Sequence, residues 1–267
     1  MLRRLSSKMS MSISLIVVFL FSMTGTVFGK ASTPSVSPQY NYVSLGDSLA
    51  AGQTPYLIPD SYGYTNIIAD KLAGAGVLGN YGDYGVSGYT TSGVINQITK
   101  PAVLSALASA QIVTLDIGAN DILRLPEVQA YLAGQGNLQD VHIAVTAKLN
   151  EVAVNIGTIV GIIKTANPYA KIYVMGYYNA FPNNPELSPI IEGLNTAITG
   201  SVDSCNLALE AQSLPIVTYV DTMSSMNKHL TKYLPNIVDI HPTVQGYRAI
   251  AMDFWAFIQP DFLRGLN

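Results

Sequence analysis

Tyr42-Val43-Ser44-Leu45-Gly46-Asp47-Ser48-Leu49 begins with a short apolar run and continues into a glycine, an acidic residue and a serine. Residues 42–45 predict a β-strand, and the Gly-Asp-Ser that follows is typical of a turn. In sheets of parallel strands, ligands bind beyond the carboxyl ends of the strands. If this strand belongs to such a sheet, Ser48 lies at the ligand-binding edge.

The rest of the chain repeats this unit. The long amphipathic pattern from Val141 to Ile163 has apolar residues at steps of three and four, which predicts a helix that ends at Asn167-Pro168. Alternating strands and helices predict an α/β fold, a three-layer α/β/α sandwich around a five-stranded parallel sheet. The other predicted strands are Leu78–Tyr84, Ile112–Asp116, Lys171–Met175 and Ile216–Val220, and the other predicted helices are Tyr62–Leu72, Pro189–Leu209 and Thr243–Phe257.

Residues 1–30 have the pattern of a secretory signal peptide: a basic start, an uncharged apolar run over 9–29 and a small-residue exit. An uncleaved anchor is the alternative, because that run reaches the ~20 residues that span a bilayer. Residues 31–39 predict a flexible linker, and 40–267 a single domain. We therefore expect a secreted protein with no membrane span after cleavage.

Composition narrows the class of partner. Only 12% of residues are charged and the formal net charge is −3, which favours neither nucleic acid nor an anionic membrane. Cys205 is the single cysteine, so an internal disulfide is excluded and packing must stabilise the domain. The sequence indicates nothing about oligomeric state.

Ser48 and His241 are the candidate reactive pair. A serine hydroxyl is a weak nucleophile at neutral pH and needs an adjacent base. Of the three histidines, His142 falls within the long predicted helix and His229 within a polar loop, whereas His241 follows the last strand and precedes a helix start. A turn serine and a loop histidine are the plainer alternatives.

Gly88 and Asn120 follow the second and third predicted strands. A glycine lets a backbone N–H approach a substrate closely, and a carboxamide supplies a side-chain N–H. With the N–H of Ser48, these groups are candidate donors to a developing oxyanion. Each residue type is also typical of an ordinary turn.

No cofactor or metal site is predicted. Residues 74–79 match the Gly-x-Gly-x-x-Gly pattern, but they follow a predicted helix and lead into a strand, which is the reverse of a dinucleotide site. The spacing of histidine and cysteine residues offers no metal-ligand set.

Together these motifs resemble the SGNH (GDSL-type) hydrolase family, whose secreted members include lipases and esterases. The resemblance implies that Ser48 is the nucleophile and an oxyanion donor, that Gly88 and Asn120 are the other donors, and that His241 is the base. It also implies cofactor-free hydrolysis of small-molecule, lipid or glycan esters. The four motifs are Gly46-Asp47-Ser48-Leu49, Ser87-Gly88-Tyr89-Thr90, Gly118-Ala119-Asn120-Asp121 and Asp239-Ile240-His241-Pro242.

One position departs from the family pattern. The family usually has an aspartate three residues before the histidine, where this chain has Val238, and Asp239 stands two before. Three interpretations follow: Asp239 reaches His241 through a bent loop, a backbone carbonyl orients the ring, or another carboxylate such as Asp221 does so.

The reaction itself also leaves alternatives. An acyltransferase would use the same acyl-enzyme, and a non-catalytic binding protein with a degenerate site would explain the shifted aspartate. Aromatic and apolar residues near the predicted strand ends are candidates for an acyl pocket, although ordinary core or surface roles explain them as well. They are Tyr56, Leu57, Tyr62, Tyr177, Tyr178 and Phe181.

Overall fold

The computed structural model describes residues 38–55, 62–236 and 239–264. The predicted signal peptide, most of the predicted linker and the pocket candidates Tyr56 and Leu57 lie outside the described residues. The strands, all parallel, are β1 Tyr40–Gly46, β2 Leu78–Gly85, β3 Ile112–Asp116, β4 Lys171–Gly176 and β5 Val217–Asp221. Their order, β2-β1-β3-β4-β5, is the flavodoxin-like arrangement, and it confirms the predicted fold.

Helices cover both faces of the sheet. Helices α1 and α10 pack against each other, and α6 packs against α2, α3 and α7. The helices are α1 Tyr64–Gly74, α2 Thr91–Ile98, α3 Pro101–Ser109, α4 Ala119–Leu123, α5 Pro126–Leu132, α6 Leu138–Ala166, α7 Ser188–Ala211, α8 Met223–Asn227, α9 Leu230–Tyr233 and α10 Val244–Phe262, with a 3₁₀ turn at Pro185–Leu187.

Local sequence explains the ends of α6. The side chain of Asn137 accepts a hydrogen bond from the N–H of Asp140, and the helix stops at Asn167, before Pro168. One face of α6, including Val152, is buried in the core. This helix is long and apolar enough to cross a membrane by length and composition alone, yet the apolar residues of its buried face belong to the core of the domain.

Two predicted helix boundaries were wrong, for identifiable reasons. Helix α1 starts after Gly63, whose backbone is extended and whose N–H donates to the Asn66 side chain. Helix α10 continues past 257 because Ile258 is fully buried and the Phe262 ring packs on Tyr40 with ring centroids 4.8 Å apart.

The sheet brings the predicted site residues to one edge. Every residue of β3 and the last five residues of β1 are buried, which anchors the segments that follow them. Ser48 follows β1, Gly88 follows β2, and Asn120 lies in the first turn of α4, after β3. His241 comes from the loop between α9 and α10.

Candidate active site

Ser48 and His241 meet at the carboxyl edge of the sheet, although 193 positions separate them in sequence. The Ser48 Oγ lies 2.8 Å from the His241 Nε2. The other ring nitrogen, Nδ1, lies 2.5 Å from the Oδ1 of Asp239. Ser48 is only 7% exposed, so the hydroxyl is largely shielded from bulk water. A hydroxyl, an imidazole and a carboxylate in this order allow proton transfer from serine to histidine.

A bent loop lets Asp239 reach the ring from two positions away. Its Oδ1 also accepts the backbone N–H of His241, at 2.9 Å, so one oxygen contacts both the backbone and the ring. Asp221 is engaged elsewhere, accepting hydrogen bonds from the N–H of Met223 and the Ser224 hydroxyl. The Ile240 carbonyl accepts the Tyr178 hydroxyl. Of the three interpretations, the geometry matches the first, in which Asp239 reaches His241 through a bent loop. Val238, at the position where the family usually has its aspartate, lies outside the described residues.

The other two histidines lie elsewhere. His142 is partly buried on α6, and its Nε2 is buried with no hydrogen-bond partner among the described residues. His229 occupies the N-cap position of the short helix α9 without a side-chain capping bond, and its ring packs on Tyr233.

The turn that carries Ser48 leaves one backbone N–H unused. From 47 to 53, every backbone N–H except that of Ser48 has an acceptor among the described residues. Two of these donors, the N–H groups of Leu49 and Gln53, bond to the Asp47 side chain and the Ser48 carbonyl respectively. The other N–H groups of the turn are bonded, so the Ser48 N–H is the one donor from 47 to 53 without an acceptor among the described residues.

Two buried carboxyl groups hold this turn, and sequence reasoning missed the part played by both. The Oδ2 of Asp116 accepts the N–H groups of Asp47 and Ala50, at 3.2 and 3.3 Å. Its Oδ1 accepts the Tyr64 hydroxyl at 2.5 Å. The Asp47 Oδ2 accepts the Tyr177 hydroxyl at 3.0 Å. The available sequence signal was an acidic residue at the end of a strand that is apolar apart from Thr114.

Gly46 makes room for this arrangement. It has a φ of +154°, and a Cβ at this position would lie 2.5 Å from the Asp116 Oδ1. A side chain here would therefore displace the carboxyl group that supports the Ser48 turn.

Burial away from water raises the pKa of Asp116 well above its ordinary value, and the neighbouring Asp47 charge raises it further. Burial also raises the pKa of Asp47. Among the described residues no cation is bonded to either carboxyl group, so no positive charge in direct contact offsets the effect of burial on these two pKa values.

This pair predicts a pH dependence of stability. A carboxyl group whose pKa is higher in the folded state than in the unfolded state contributes stability that is present in full below the unfolded-state pKa, about 3.9. This stability is lost in the window between the two pKa values, as the pH rises through the folded-state pKa. We expect the free energy of unfolding of the wild type to fall, relative to Asp116→Asn, by up to about 1.4 kcal/mol per pH unit in that window. Urea unfolding of both proteins at pH 5 and pH 8 measures this, and parallel pH curves would contradict it.

Gly88 and Asn120 lie in segments that are bonded together. Gly88 is the third residue of a turn closed by the Tyr89 N–H on the Val86 carbonyl, and its φ of +82° is the value that a type II turn requires there. Val86 in turn donates to the Gly46 carbonyl. The Asn120 Nδ2 donates to the Tyr89 carbonyl at 3.0 Å, which leaves its second amide hydrogen available.

Ser48 and Asn120 also share the wall of an apolar cavity of about 40 Å³. Three of the pocket candidates, Tyr177, Tyr178 and Phe181, line it. Tyr62 does not, because its hydroxyl bonds Asp70 at the exposed surface.

A model of the GDSL-like lipase/acylhydrolase family matches residues 44–249, well over half of the 267 residues. This chain belongs to the GDSL-like lipase/acylhydrolase family. The matched range contains Ser48, Gly88, Asn120 and His241, so the family assignment covers the whole edge of the sheet described above. A comparison with curated protein sequences found no match.

Solved structures agree with this fold. A lipase from a goat rumen metagenome is 19% identical, with a TM-score of 0.65 over 82% of this chain and 97% of that one. An acetylxylan esterase from Geobacillus stearothermophilus is 16% identical, with a TM-score of 0.56 over 86% and 99%. A member of the lipolytic G-D-S-L family from Veillonella parvula is 17% identical, with a TM-score of 0.56 over 81% and 96%. At these identities the likeness establishes the fold alone.

Proposed function

We propose that this GDSL family member is a secreted carboxylic ester hydrolase of the lipase/esterase type. Ser48 is its nucleophile, His241 its general base and acid, and Asp239 the group that orients His241. The observation that carries the proposal is the 2.8 Å contact between the Ser48 Oγ and the His241 Nε2. The pattern of residues 1–30 supports export.

Acylation begins when the Ser48 Oγ attacks the ester carbonyl carbon and its proton moves to the His241 Nε2. Asp239 holds the proton on Nδ1, so that Nε2 is free to accept. The negative charge on the carbonyl oxygen is stabilised by the N–H groups of Ser48 and Gly88 and by the Asn120 side chain. His241 then protonates the leaving alcohol oxygen as the bond from acyl carbon to that oxygen breaks.

Deacylation repeats these steps with water. His241 removes a proton from water, the hydroxide attacks the acyl carbon on Ser48, and the same donors stabilise the anion. The carbon–Oγ bond breaks, His241 returns the proton to Ser48, and the carboxylic acid leaves.

A fluorophosphonate probe with 4-nitrophenyl butyrate as substrate tests the proposal. We expect labelling on the peptide that contains Ser48, together with release of 4-nitrophenol. A folded protein that neither labels nor hydrolyses esters would support the non-catalytic alternative. Product analysis with added glycerol separates hydrolysis from acyl transfer, since a transferase would form glycerol esters. In the sequence, the argument for a degenerate site was that the aspartate is shifted by one position. Asp239 nevertheless contacts the His241 ring, which weakens that argument.

Asn120→Ala is expected to lower kcat by about 10²–10³ and to change KM little, because the donor acts on the anion that forms in the transition state. Steady-state kinetics with 4-nitrophenyl butyrate measure the effect. Asn206→Ala, on α7, is the matched control: it removes a side-chain amide that donates to the Val217 carbonyl rather than to the segment of Asn120. Equal losses in the two variants would contradict a donor role for Asn120.

A further inference from the structure

We propose that the cavity beside Ser48 binds an apolar acyl chain longer than acetyl, so that the substrates are esters of short fatty acids rather than acetylated glycans. The inference rests on the proposed function and names the substrate class of the same site. Three features carry it: the position of the cavity, the lack of unused polar groups in its tyrosines, and its size.

The cavity lies between two separate apolar clusters. Its inner wall belongs to the main core, which includes Leu49 and Leu194. Its outer wall belongs to a satellite cluster built from α4, α5, the 3₁₀ turn, and the starts of α6 and α7, which contributes Ile122, Val128 and Ile190. Interiors are normally packed without such gaps, and an apolar gap that opens on a reactive hydroxyl suits an apolar ligand.

The tyrosines of the wall have their hydroxyl groups engaged. The Tyr177 hydroxyl donates to Asp47, and the Tyr178 hydroxyl donates to the Ile240 carbonyl. The second Asp47 oxygen accepts the Leu49 N–H. What these rings offer the cavity is hydrocarbon. A sugar hydroxyl placed here would lose its bonds to water without replacement, which disfavours a glycan in this position.

Of the residues that we propose take part in the reaction, Ser48 and Asn120 also line the cavity. An acyl carbon bonded to Ser48, with its oxygen near the Asn120 amide, directs the rest of the acyl chain into the apolar space. The glycerol, sugar or other alcohol then leaves toward His241, which supplies its proton.

The size of the cavity limits the chain. Its volume of about 40 Å³ is room for roughly three water molecules, which suits a chain a few carbons long. Each methylene moved from water to an apolar site changes kcat/KM by about fourfold. We therefore expect butyrate to exceed acetate by about 15-fold, with the optimum between butyrate and hexanoate.

The test measures kcat/KM for 4-nitrophenyl acetate, butyrate, hexanoate and octanoate, and acetate release from acetylated xylo-oligosaccharides. Val128→Phe, in α5, fills the cavity and is expected to lower the ratio of hexanoate to acetate at least tenfold. Leu194→Ala, in α7, enlarges it and is expected to raise the ratio of octanoate to butyrate. Val154→Phe is the matched control, because Val154 is 68% exposed on α6.

The outcomes are separable from those of the proposed function. A wild type that hydrolyses acetate or acetylated xylo-oligosaccharides as well as or better than butyrate overturns the acyl-chain inference and leaves the ester hydrolase intact. A folded Val128→Phe protein with the wild-type ratio of hexanoate to acetate also overturns the acyl-chain inference. If Val128→Phe does not fold, an unchanged ratio of octanoate to butyrate in Leu194→Ala overturns it instead. A wild type with no ester hydrolysis at all contradicts the proposed function itself.

Discussion

Ser48→Ala is expected to lower kcat for ester hydrolysis by about 10⁵–10⁶ and to abolish labelling by a fluorophosphonate. The methyl group cannot attack the carbonyl or hold an acyl group, so water would have to attack the ester directly. Activity remaining above the uncatalysed rate would come from the oxyanion donors and from binding alone. The substitution removes one oxygen and one 2.8 Å hydrogen bond, and the fold should survive it.

The measurement is steady-state hydrolysis of 4-nitrophenyl butyrate, with circular dichroism and thermal unfolding to check the fold. Ser224→Ala is a matched control: Ser224 is exposed and its hydroxyl bonds Asp221, away from His241. We expect the control to retain wild-type activity. Wild-type activity in a folded Ser48→Ala protein would refute the assignment of the nucleophile.

Asp239→Asn is expected to lower kcat by about 10⁴. The carboxylate accepts the Nδ1–H of His241 and so keeps Nε2 ready to receive the serine proton. An asparagine can instead donate an N–H to Nδ1, which places the histidine proton on Nε2, facing Ser48. In that tautomer His241 cannot act as a base. Because the Oδ1 of Asp239 accepts both the ring N–H and the backbone N–H of His241, an amide nitrogen in its place also removes the acceptor of the backbone N–H, so thermal unfolding of the variant is measured together with kcat.

Asp221→Asn serves as the control, since Asp221 bonds Met223 and Ser224 and was the rival carboxylate in the sequence. Profiles of kcat/KM against pH for both variants separate an orienting role from a loss of stability, because only the former changes the protonation state needed for activity. Turnover of Asp239→Asn within about threefold of wild type would show that Asp239 is not the orienting acid.

Local patterns were enough to predict the fold because the five strands and the four longest helices each carry their own signal, whereas the shorter helices α2, α3, α4, α5, α8 and α9 were not predicted. β3 is apolar apart from Thr114 and the terminal Asp116, and α6 has its apolar residues at helical spacing. The edge strand β2 was the weakest prediction because Gly79 and Gly82 interrupt it, and an edge position tolerates them. Helix ends at 64 and 262 were missed, since capping and tertiary contact set them.

The sequence by itself determined the sheet and its parallel direction, and it identified the four residues that we propose carry the chemistry, Ser48, Gly88, Asn120 and His241. Only the tertiary structure decided how they are supported. Whether Asp239 reaches His241 depends on a bend in the loop that carries both residues. Asp116 accepts the Asp47 N–H only because β1 and β3 are neighbouring strands, although the two residues are 69 positions apart in sequence. The apolar cavity arises between two clusters distant in sequence. The spacing of residues along the sequence predicts helices and strands. These features depend instead on distances between residues far apart in sequence, and those distances are set only when the helices and strands pack together.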